Sequence, residues 1–444
     1  MSDYRIEEDT LGAVKIPKDA LWGAQTQRSR NNFSTGNKMP LEIIKALLQI
    51  KRAAAIANKE VGAIDANKAD LIVESIDQLL KLDDASLRKD FPLVVYQTGS
   101  GTQTNMNVNE VVSHVAQNIN PQLEILPNDD VNHGQSSNDI FPTAMNITAA
   151  MAVEKLIDSL KHLIEELQTK QAKYWRVVKI GRTHLQDATP LTFGQEVSGW
   201  VSMLQHDLDY LQTLKKTLGE LAIGGTAVGT GLNAAPGFAE KIAEQMSIVY
   251  DFEFTADTNK FFGLAAHSGL NVVHGAIKTL ASDLLKIAND VRFLASGPRS
   301  GYGELNIPAN EPGSSIMPGK VNPTQAEAIT MAAIKVMGND VTIDLAASQG
   351  NFEMNVYKPV LISTFLESAE LLTGTMTGFA DKMIAGLTVN KTRMQELVDQ
   401  SLMTVTALSP HIGYHHSAEI AQLAQREGTT LREAAIKSKL VTAE

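Results

Sequence analysis

The strongest structural signal in this 444-residue chain is the stretch VHGAIKTLASDLLKIANDVRFL, residues 273–294. Its aliphatic side chains recur at alternating steps of four and three, which places them on one face of an α-helix. The members of this stripe are Val273, Ile277, Leu280, Leu284, Ile287, Val291 and Leu294. A helix of about 30 residues would be about 45 Å long. The stripe therefore predicts a long rod with one face buried.

Similar patterns on both sides of this stretch extend the prediction to a bundle. Several rods of matching length, joined by polar loops, are typical of helical bundles. Two shorter helices are predicted before the bundle. The patterns for long helices cover residues 153–167, 204–218, 324–347 and 360–388, and those for the two shorter helices cover 41–59 and 67–81.

Changes of pattern divide the chain into three predicted domains. Residues 1–136 form a mixed, mostly helical first domain, and residues 137–391 form the long-helix bundle. Residues 392–444 form a small C-terminal helical domain, punctuated by Pro410 and Gly413. The predicted fold class is mainly α, with a three-domain subunit built around a central long-helix bundle.

Composition excludes several classes of protein. The net charge is −11, so no nucleic-acid partner is expected, because a sequence-independent grip on phosphates needs dense Lys and Arg. The chain has no cysteine, which excludes disulfides, thiolate metal sites and cysteine nucleophiles. No run of about eighteen apolar residues occurs, so no membrane span is expected. The acidic start, MSDYRIEEDT, is unlike a signal or transit peptide, and a cytoplasmic location is predicted.

Four polar segments with small residues interrupt the helical patterns and carry the candidate site residues. They are TGSGTQTNMNVNE (98–110), PNDDVNHGQSSND (127–139), GRTHLQDATP (181–190) and EPGSSIMPGKVNP (311–323). Their short hydroxyl and amide side chains, with Lys320 as a point charge, suit carboxylate oxygens, which each accept several hydrogen bonds. Each segment alone could be an ordinary turn or helix cap. Four of them in one chain predict an anion-binding site on a rigid scaffold.

Three residues in or beside these segments are candidates for acid–base chemistry. His184 lies in a polar turn rather than on an apolar stripe, and an imidazole changes charge near neutral pH. Ser314 lies in a Gly-Ser-Ser turn and can act as a base only where its alkoxide is stabilised. Glu327 starts a helical pattern, where a carboxylate also interacts well with the helix dipole.

Nucleotide and metal sites are not supported by the patterns in the chain. Five residues separate Gly313 from Gly319, one more than in a phosphate-binding loop, and Val321 stands where that loop needs Ser or Thr. The acidic and histidine side chains at 129–133 do not have the spacing of a known metal site. We therefore predict no metal and no cofactor.

The segment GSSIMPGKVNP, residues 313–323, resembles the signature of the fumarase/aspartase superfamily. The other three segments match the remaining family blocks in order, as do GGTAVGTGLN (224–233) and GNFEMNVYKP (350–359). The likeness covers essentially the whole chain, and within the superfamily it is most similar to the cofactor-free class II fumarases. Aspartases tend to carry Gln where this chain has His184 and Ala where it has Gly319.

The resemblance implies a homotetrameric lyase of the citric acid cycle, with active sites shared between subunits. It would reversibly hydrate fumarate to (S)-malate by anti addition, through an aci-carboxylate intermediate. Ser314 is the implied base, His184 the implied proton donor or acceptor, and Glu327 the implied partner of the imidazole. The implied substrate-binding residues are Ser100, Thr102, Ser136, Ser137, Asn138, Thr183, Ser315, Lys320 and Asn322.

Two features depart from the family pattern. Fumarases often bind a second anion near a loop that reads His-Pro-Asn-Asp; here Leu126 replaces the histidine, so a second anion site at Asn128 and Asp129 would lack the imidazole. Family members usually continue past the position of Glu444 through another small helical segment, so the third domain is expected to be short by comparison.

The sequence leaves two other functions open. One is an ammonia-lyase acting on aspartate, or a lyase of a larger succinyl adduct, within the same superfamily. The other is a catalytically inactive helical scaffold. The intact set of Ser314, His184, Lys320 and Glu327 argues against the scaffold.

Overall fold

The structure, a computed structural model, describes residues 4–442, so residues 1–3 and 443–444 of the predicted first and third domains lie outside the described residues. The helices are Ala24–Asn32 (α1), Leu41–Glu60 (α2), Ala66–Leu80 (α3), Asp84–Asp90 (α4), Thr102–Ile119 (α5), Ser137–Lys173 (α6), Phe193–Leu214 (α7), Phe238–Tyr250 (α8), Lys260–Ala265 (α9), Ser268–Leu294 (α10), Thr324–Ala347 (α11), Lys358–Phe379 (α12), Lys391–Gln400 (α13), Ser409–Ile412 (α14), Tyr414–Glu427 (α15) and Leu431–Ser438 (α16).

Short strands pair two by two between these helices. The antiparallel pairs are Tyr4–Asp9 (β1) with Gly12–Pro17 (β2), Val178–Thr183 (β3) with Gln186–Thr192 (β4), and Leu305–Asn306 (β7) with Thr388–Val389 (β8). Glu220–Leu221 (β5) and Thr255–Ala256 (β6) pair in parallel. The described residues also contain two turns of π-helix and two of 3-10 helix. The π-helical turns are Pro127–Val131 and Ala380–Ile384, and the 3-10 turns are Lys215–Leu218 and Leu402–Ala407.

The prediction of a mainly helical protein is confirmed. Every member of the α10 stripe is buried, as are the apolar residues predicted to face inward at 153–167. The pattern at 324–347 coincides with α11, whereas the pattern at 360–388 is too long. α12 ends at Phe379, and the chain then passes through a π-helical turn into β8. Within residues 4–442, no helix is long and apolar enough to cross a membrane.

The chain divides into two compact units. The first contains the described residues up to Ile157, together with Tyr210–Thr279 and Lys335–Leu371. In it, buried polar contacts tie the long helices to one another. His274 Nδ1 on α10 lies 2.8 Å from Asp340 Oδ1 on α11, and Asn339 Nδ2 donates to Ser368 Oγ on α12 at 3.0 Å. Buried polar groups must be paired, so these contacts fix which helix faces lie together.

The second unit takes Asp158–Asp209, Leu280–Ile334 and the described residues from Leu372 onward. Ser159 on α6 and Thr377 on α12 are joined hydroxyl to hydroxyl at 3.0 Å, and Trp200 Nε1 on α7 donates to Asp290 on α10 at 3.1 Å. The C-terminal helices of this unit pack on a small core of Val405, Ile420 and Ala424.

Candidate active site

In the first unit, three of the predicted substrate-binding residues form a row of hydroxyls. Ser100 Oγ lies 2.8 Å from Thr102 Oγ1, which lies 2.8 Å from Ser137 Oγ. Thr102 begins α5 and Ser137 begins α6. The free N–H groups and the dipole of a helix N-terminus favour anions. The row therefore brings two of the four predicted segments together at a place suited to a carboxylate.

The turn before α5 approaches the backbone of another segment very closely. A Cβ on Gly99 would lie 1.4 Å from the carbonyl oxygen of Val356. A residue with a side chain cannot occupy this position without moving the backbone. Gly99 thus lets the 98–102 turn pack against the segment that leads into α12.

Residues 132–138 are half-buried and lead to a fully buried carboxylate, that of Asp139. We call residues 132–139 the buried segment after this anchor. Asp139 is fully buried, and it accepts hydrogen bonds from the N–H groups of Ser136 at 2.9 Å, Gly224 at 2.9 Å and Thr226 at 3.0 Å. Burial raises the pKa of Asp139 to about 6, although these hydrogen bonds oppose the rise. Asp139 thus anchors the predicted residue Ser136, which Ser137 and Asn138 follow directly, although no pattern in the sequence singled Asp139 out.

Lys358 contacts the same segment and supplies a hydrogen-bond donor that α6 lacks at this point. Pro142 lies inside α6 and has no N–H, so the carbonyl of Asn138 loses its usual helical donor. Lys358 Nζ lies 3.5 Å from that carbonyl oxygen, and the lysine is fully buried. Burial lowers the pKa of Lys358 to about 8, with Asp139 opposing the change.

Lys51 is a second fully buried lysine, on α2. Its ammonium donates to Gln135 Oε1 at 3.1 Å and to Asn132 Oδ1 at 3.3 Å, and burial lowers its pKa to about 7. Lys51 was not among the predicted site residues, but the sequence contains a signal for it. Lys51 follows Ile44 and Leu47 at steps of three and four, so it lies on the apolar face of the predicted helix.

In the second unit, His184 lies at the tip of the β3–β4 hairpin. Thr183 pairs with Gln186, so His184 and Leu185 form a two-residue turn, with φ of 57° and 60°. Left-handed conformations at both positions match the twist of a hairpin but cost a residue with a side chain about 1–2 kcal/mol each. The predicted polar turn is thus part of a hairpin whose two strands were not predicted. Thr183 and His184 are exposed on this strained tip.

Residues 313–322, which we call the exposed loop, carry four predicted residues. Ser314 Oγ accepts hydrogen bonds from the N–H groups of Ile316 at 3.3 Å and Met317 at 3.1 Å. Asn322 Nδ2 donates to the carbonyl of Gly313 at 2.7 Å, and Gly313 N donates to the carbonyl of Lys320 at 2.8 Å. The loop is thus closed on itself, and the side chains of Ser315 and Lys320 face outward and are exposed.

The remaining predicted residues are placed separately. Glu327 is half-buried in the first turn of α11, and within residues 4–442 of one chain no hydrogen bond joins it to His184. Asn128 and Asp129 are exposed on the π-helical turn, while the neighbouring Asp130 is paired with Lys68 at 2.9 Å.

Comparison with known proteins identifies the family. Residues 12–338 match the family model described as Lyase, and residues 405–444 match the one described as Fumarase C C-terminus. The chain is 58% identical over 440 residues to a Fumarate hydratase class II of Listeria monocytogenes, covering 99% of this chain and 96% of the relative. It is 55% identical over 450 residues to the Bacillus subtilis protein of that name, covering 100% and 96%.

The crystal structure of a class II fumarase from Schistosoma mansoni superposes with a TM-score of 0.95 at 44% identity, covering 99% of this chain and 96% of that one. The similarity in sequence and in fold each covers 99% or more of the chain. The chain is therefore an enzyme of the lyase class and belongs to the class II fumarate hydratase family of the fumarase/aspartase superfamily.

Proposed function

We propose that this enzyme reversibly adds water to fumarate, giving (S)-malate, with Ser314 as base and His184 as acid. The observation that carries the proposal is the environment of Ser314 Oγ, which accepts two backbone N–H groups. A serine hydroxyl is a poor base unless its alkoxide is stabilised. Preorganised N–H donors aimed at an oxygen are an effective way to stabilise negative charge there.

In the direction from malate, Ser314 alkoxide takes a proton from the carbon beside one carboxylate. The electron pair of that C–H bond moves onto the carboxylate, which becomes a dianionic aci-carboxylate. Lys320, Asn322 and loop N–H groups stabilise this charge, and loss of one such donor typically lowers turnover about 10²–10³-fold. The electron pair then returns to form the C=C bond as the C–O bond breaks. His184 gives its proton to the departing hydroxide, directly or through one water, and the product is water.

The other carboxylate of the substrate has a proposed place in the first unit. The hydroxyls of Ser100, Thr102 and Ser137 form a row at two helix N-termini. Ser136 and Asn138 flank that row, and Thr183 and Ser315 complete the proposed set. No charged residue is needed in the row, because a carboxylate accepts several neutral hydrogen bonds.

We further propose a homotetramer whose active sites are shared between subunits. Support comes from α11, where Met331, Ile334, Val341 and Leu345 are each 59–66% exposed along one face. Such a continuous apolar stripe on a long helix is typical of a surface covered by other subunits. Glu327 would then reach the imidazole of His184 on a neighbouring copy.

The reaction as proposed uses small dicarboxylates as substrates and no metal or other cofactor, and takes place in the cytoplasm. A second anion site at Asn128 and Asp129 stays a prediction, with Leu126 in place of the usual histidine. Hydration is favoured over ammonia addition by His184 and Gly319. Gly319 adopts φ +82°, so the alanine typical of aspartases would be strained in this loop.

The test is to follow the ultraviolet absorbance of fumarate after adding the purified enzyme in ammonium-free buffer. Absorbance should fall until fumarate and malate reach equilibrium, and malate should be the product by mass spectrometry. Turnover that appears only with ammonium would replace the hydratase with an ammonia-lyase. Absence of turnover under every condition would favour the inactive scaffold.

The shared-site proposal is tested by sedimentation combined with assay. Dilution or mild denaturant that yields monomers should abolish turnover, and activity should return with the tetramer. A fully active monomer would contradict the proposal that sites are shared.

A further inference from the structure

A buried ion-pair cluster holds the strand that leads into the His184 turn. Glu304 is fully buried, and its carboxylate accepts two parallel hydrogen bonds from Arg182, from Nη1 at 2.9 Å and from Nη2 at 3.2 Å. Lys179 Nζ lies 3.5 Å from the same carboxylate. A bidentate pair of this kind fixes the plane of the guanidinium as well as its position.

The cluster is itself attached to fixed elements. The backbone N–H of Glu304 donates to the carbonyl of Leu294, the last residue of α10, and its carbonyl accepts from Asn390 N, both at 2.8 Å. The guanidinium carbon of Arg182 lies 4.3 Å from the centre of the Tyr302 ring. Arg182 is therefore held between a carboxylate and an aromatic face.

The turn beyond Arg182 needs such an anchor. His184 and Leu185 both have left-handed backbone conformations, which persist only where the surroundings enforce them. The β3–β4 pairing shifts register between Ile180 and Arg182, so the ladder is irregular just before the tip. Arg182, two residues before His184, ties the hairpin to a separate part of the chain close to the tip.

We propose that Glu304 is a positioning residue for His184, which acts by clamping Arg182 and so holding the strained turn in its reactive geometry. The inference rests on the proposed function, because it takes His184 to transfer the proton. Glu304 reaches the reaction only through Arg182 and the hairpin backbone. The sequence GYGEL around Glu304 contains no sign of this role.

The test compares Glu304→Gln with Glu196→Gln. Glu196 is the matched control, because its carboxylate bonds Lys179 at 3.2 Å and loses the same kind of contact without disturbing the Arg182 clamp. Glu304→Gln is expected to lower kcat about 10- to 100-fold, as small misplacements of catalytic groups do, with KM nearly unchanged. Glu196→Gln is expected to keep the kcat of the unsubstituted enzyme.

A second readout reports His184 directly. Diethyl pyrocarbonate modifies imidazole, and the rate of formation of the modified His184 peptide is measured by mass spectrometry at one fixed pH. Without the Glu304 carboxylate, Arg182 loses its bidentate partner, and the left-handed turn that carries His184 loses its anchor. The rate of modification should therefore rise in Glu304→Gln and stay the same in Glu196→Gln. A folded Glu304→Gln enzyme with unchanged kcat and an unchanged rate of modification overturns the inference.

If Glu304→Gln does not fold, the Arg182→Lys variant tests the same inference. Lysine keeps the charge but cannot make the bidentate contact. A reduced kcat with an unchanged KM supports the inference, and an unchanged kcat overturns it.

His184→Asn separates this inference from the proposed function. If His184→Asn loses turnover while Glu304→Gln keeps it, positioning fails and the role of His184 stands. If His184→Asn keeps full turnover, the acid assignment fails, and the rate of His184 modification still reports whether Glu304 positions the turn.

Discussion

The buried segment and the exposed loop both carry proposed substrate-binding groups, yet they are held in opposite ways. Asp139 and Lys51, which anchor the buried segment, are fully buried and bond to groups far away in the sequence. In the exposed loop, Ile316 is 82% exposed, and the hydrogen bonds described above join loop residues to one another. The difference indicates that substitutions in the loop change chemistry first, whereas substitutions around the segment change stability first.

The largest effect is expected from Ser314→Ala in the exposed loop. Turnover should fall about 10²–10⁴-fold, the usual contribution of an acid or base group, and the melting temperature should stay the same. Steady-state assay and calorimetry measure the two quantities. Ser198→Ala, which removes another half-buried hydroxyl on α7, is the control and should change neither. Near-normal turnover in Ser314→Ala would show that Ser314 is not the base.

Asp139→Ala, in the buried segment, is expected to lower stability, whereas Ser314→Ala leaves it unchanged. Three backbone N–H groups would lose their acceptor, and leaving buried donors unpaired costs about 1–3 kcal/mol. We expect a loss of about 3 kcal/mol in the free energy of unfolding, measured with urea, and lower turnover because Ser136–Asn138 lose their anchor. Asp129→Ala, an exposed carboxylate in the same region, should change stability by less than about 0.5 kcal/mol. Equal effects from both variants would contradict the anchoring role.

The pH dependence of stability tests the burial of Lys51, which anchors the buried segment, and here the expected effect is smaller. The pKa of Lys51 is about 7 in the folded protein and 10.5 when unfolded, so between these values the unfolded state binds more protons. Lys51 therefore makes stability rise with pH in this window, by on the order of 1 kcal/mol per pH unit.

In Lys51→Met that contribution disappears, so the rise between pH 7 and pH 9 should be less steep than in the unsubstituted protein. Urea unfolding at each pH gives the slope. Lys320→Met removes an exposed ammonium from the loop and serves as the control for the loss of a lysine. An unaltered slope in Lys51→Met would mean that Lys51 keeps its proton throughout.

The smallest effect concerns the exposed hairpin tip. Leu185→Gly relieves a left-handed conformation and loses little burial, because Leu185 is 59% exposed. The gain from relief exceeds the added unfolded-state entropy, for a net stabilisation of about 0.5 kcal/mol. Turnover should fall because the tip is less constrained. Leu232→Gly, at an exposed leucine without a positive φ, should destabilise instead, and the same sign for both would count against strain at the tip.

Local patterns predicted the helices well because they depend on residues three and four apart. The stripe from Val273 to Leu294 and the pattern at 324–347 identified α10 and α11 with little error. The polar segments also supplied the candidate site residues, whose roles stay predictions; of these, His184 and Lys320 are exposed in the structure. Hydrogen-bonding side chains on glycine-containing loops have a composition that is visible without any fold.

The supporting charges were not visible in this way, apart from Lys51 on its apolar face. Glu304 and Arg182 are 122 residues apart, and Asp139 bonds N–H groups 85 and 87 residues away. Whether a charged side chain is solvated or buried depends on the partners that folding brings to it, because burial of a charge is tolerated only with compensating contacts. The helix periods and the composition of the polar loops are thus determined by residues that are close together in the sequence. The clamps that hold those loops exist only once distant segments have packed together.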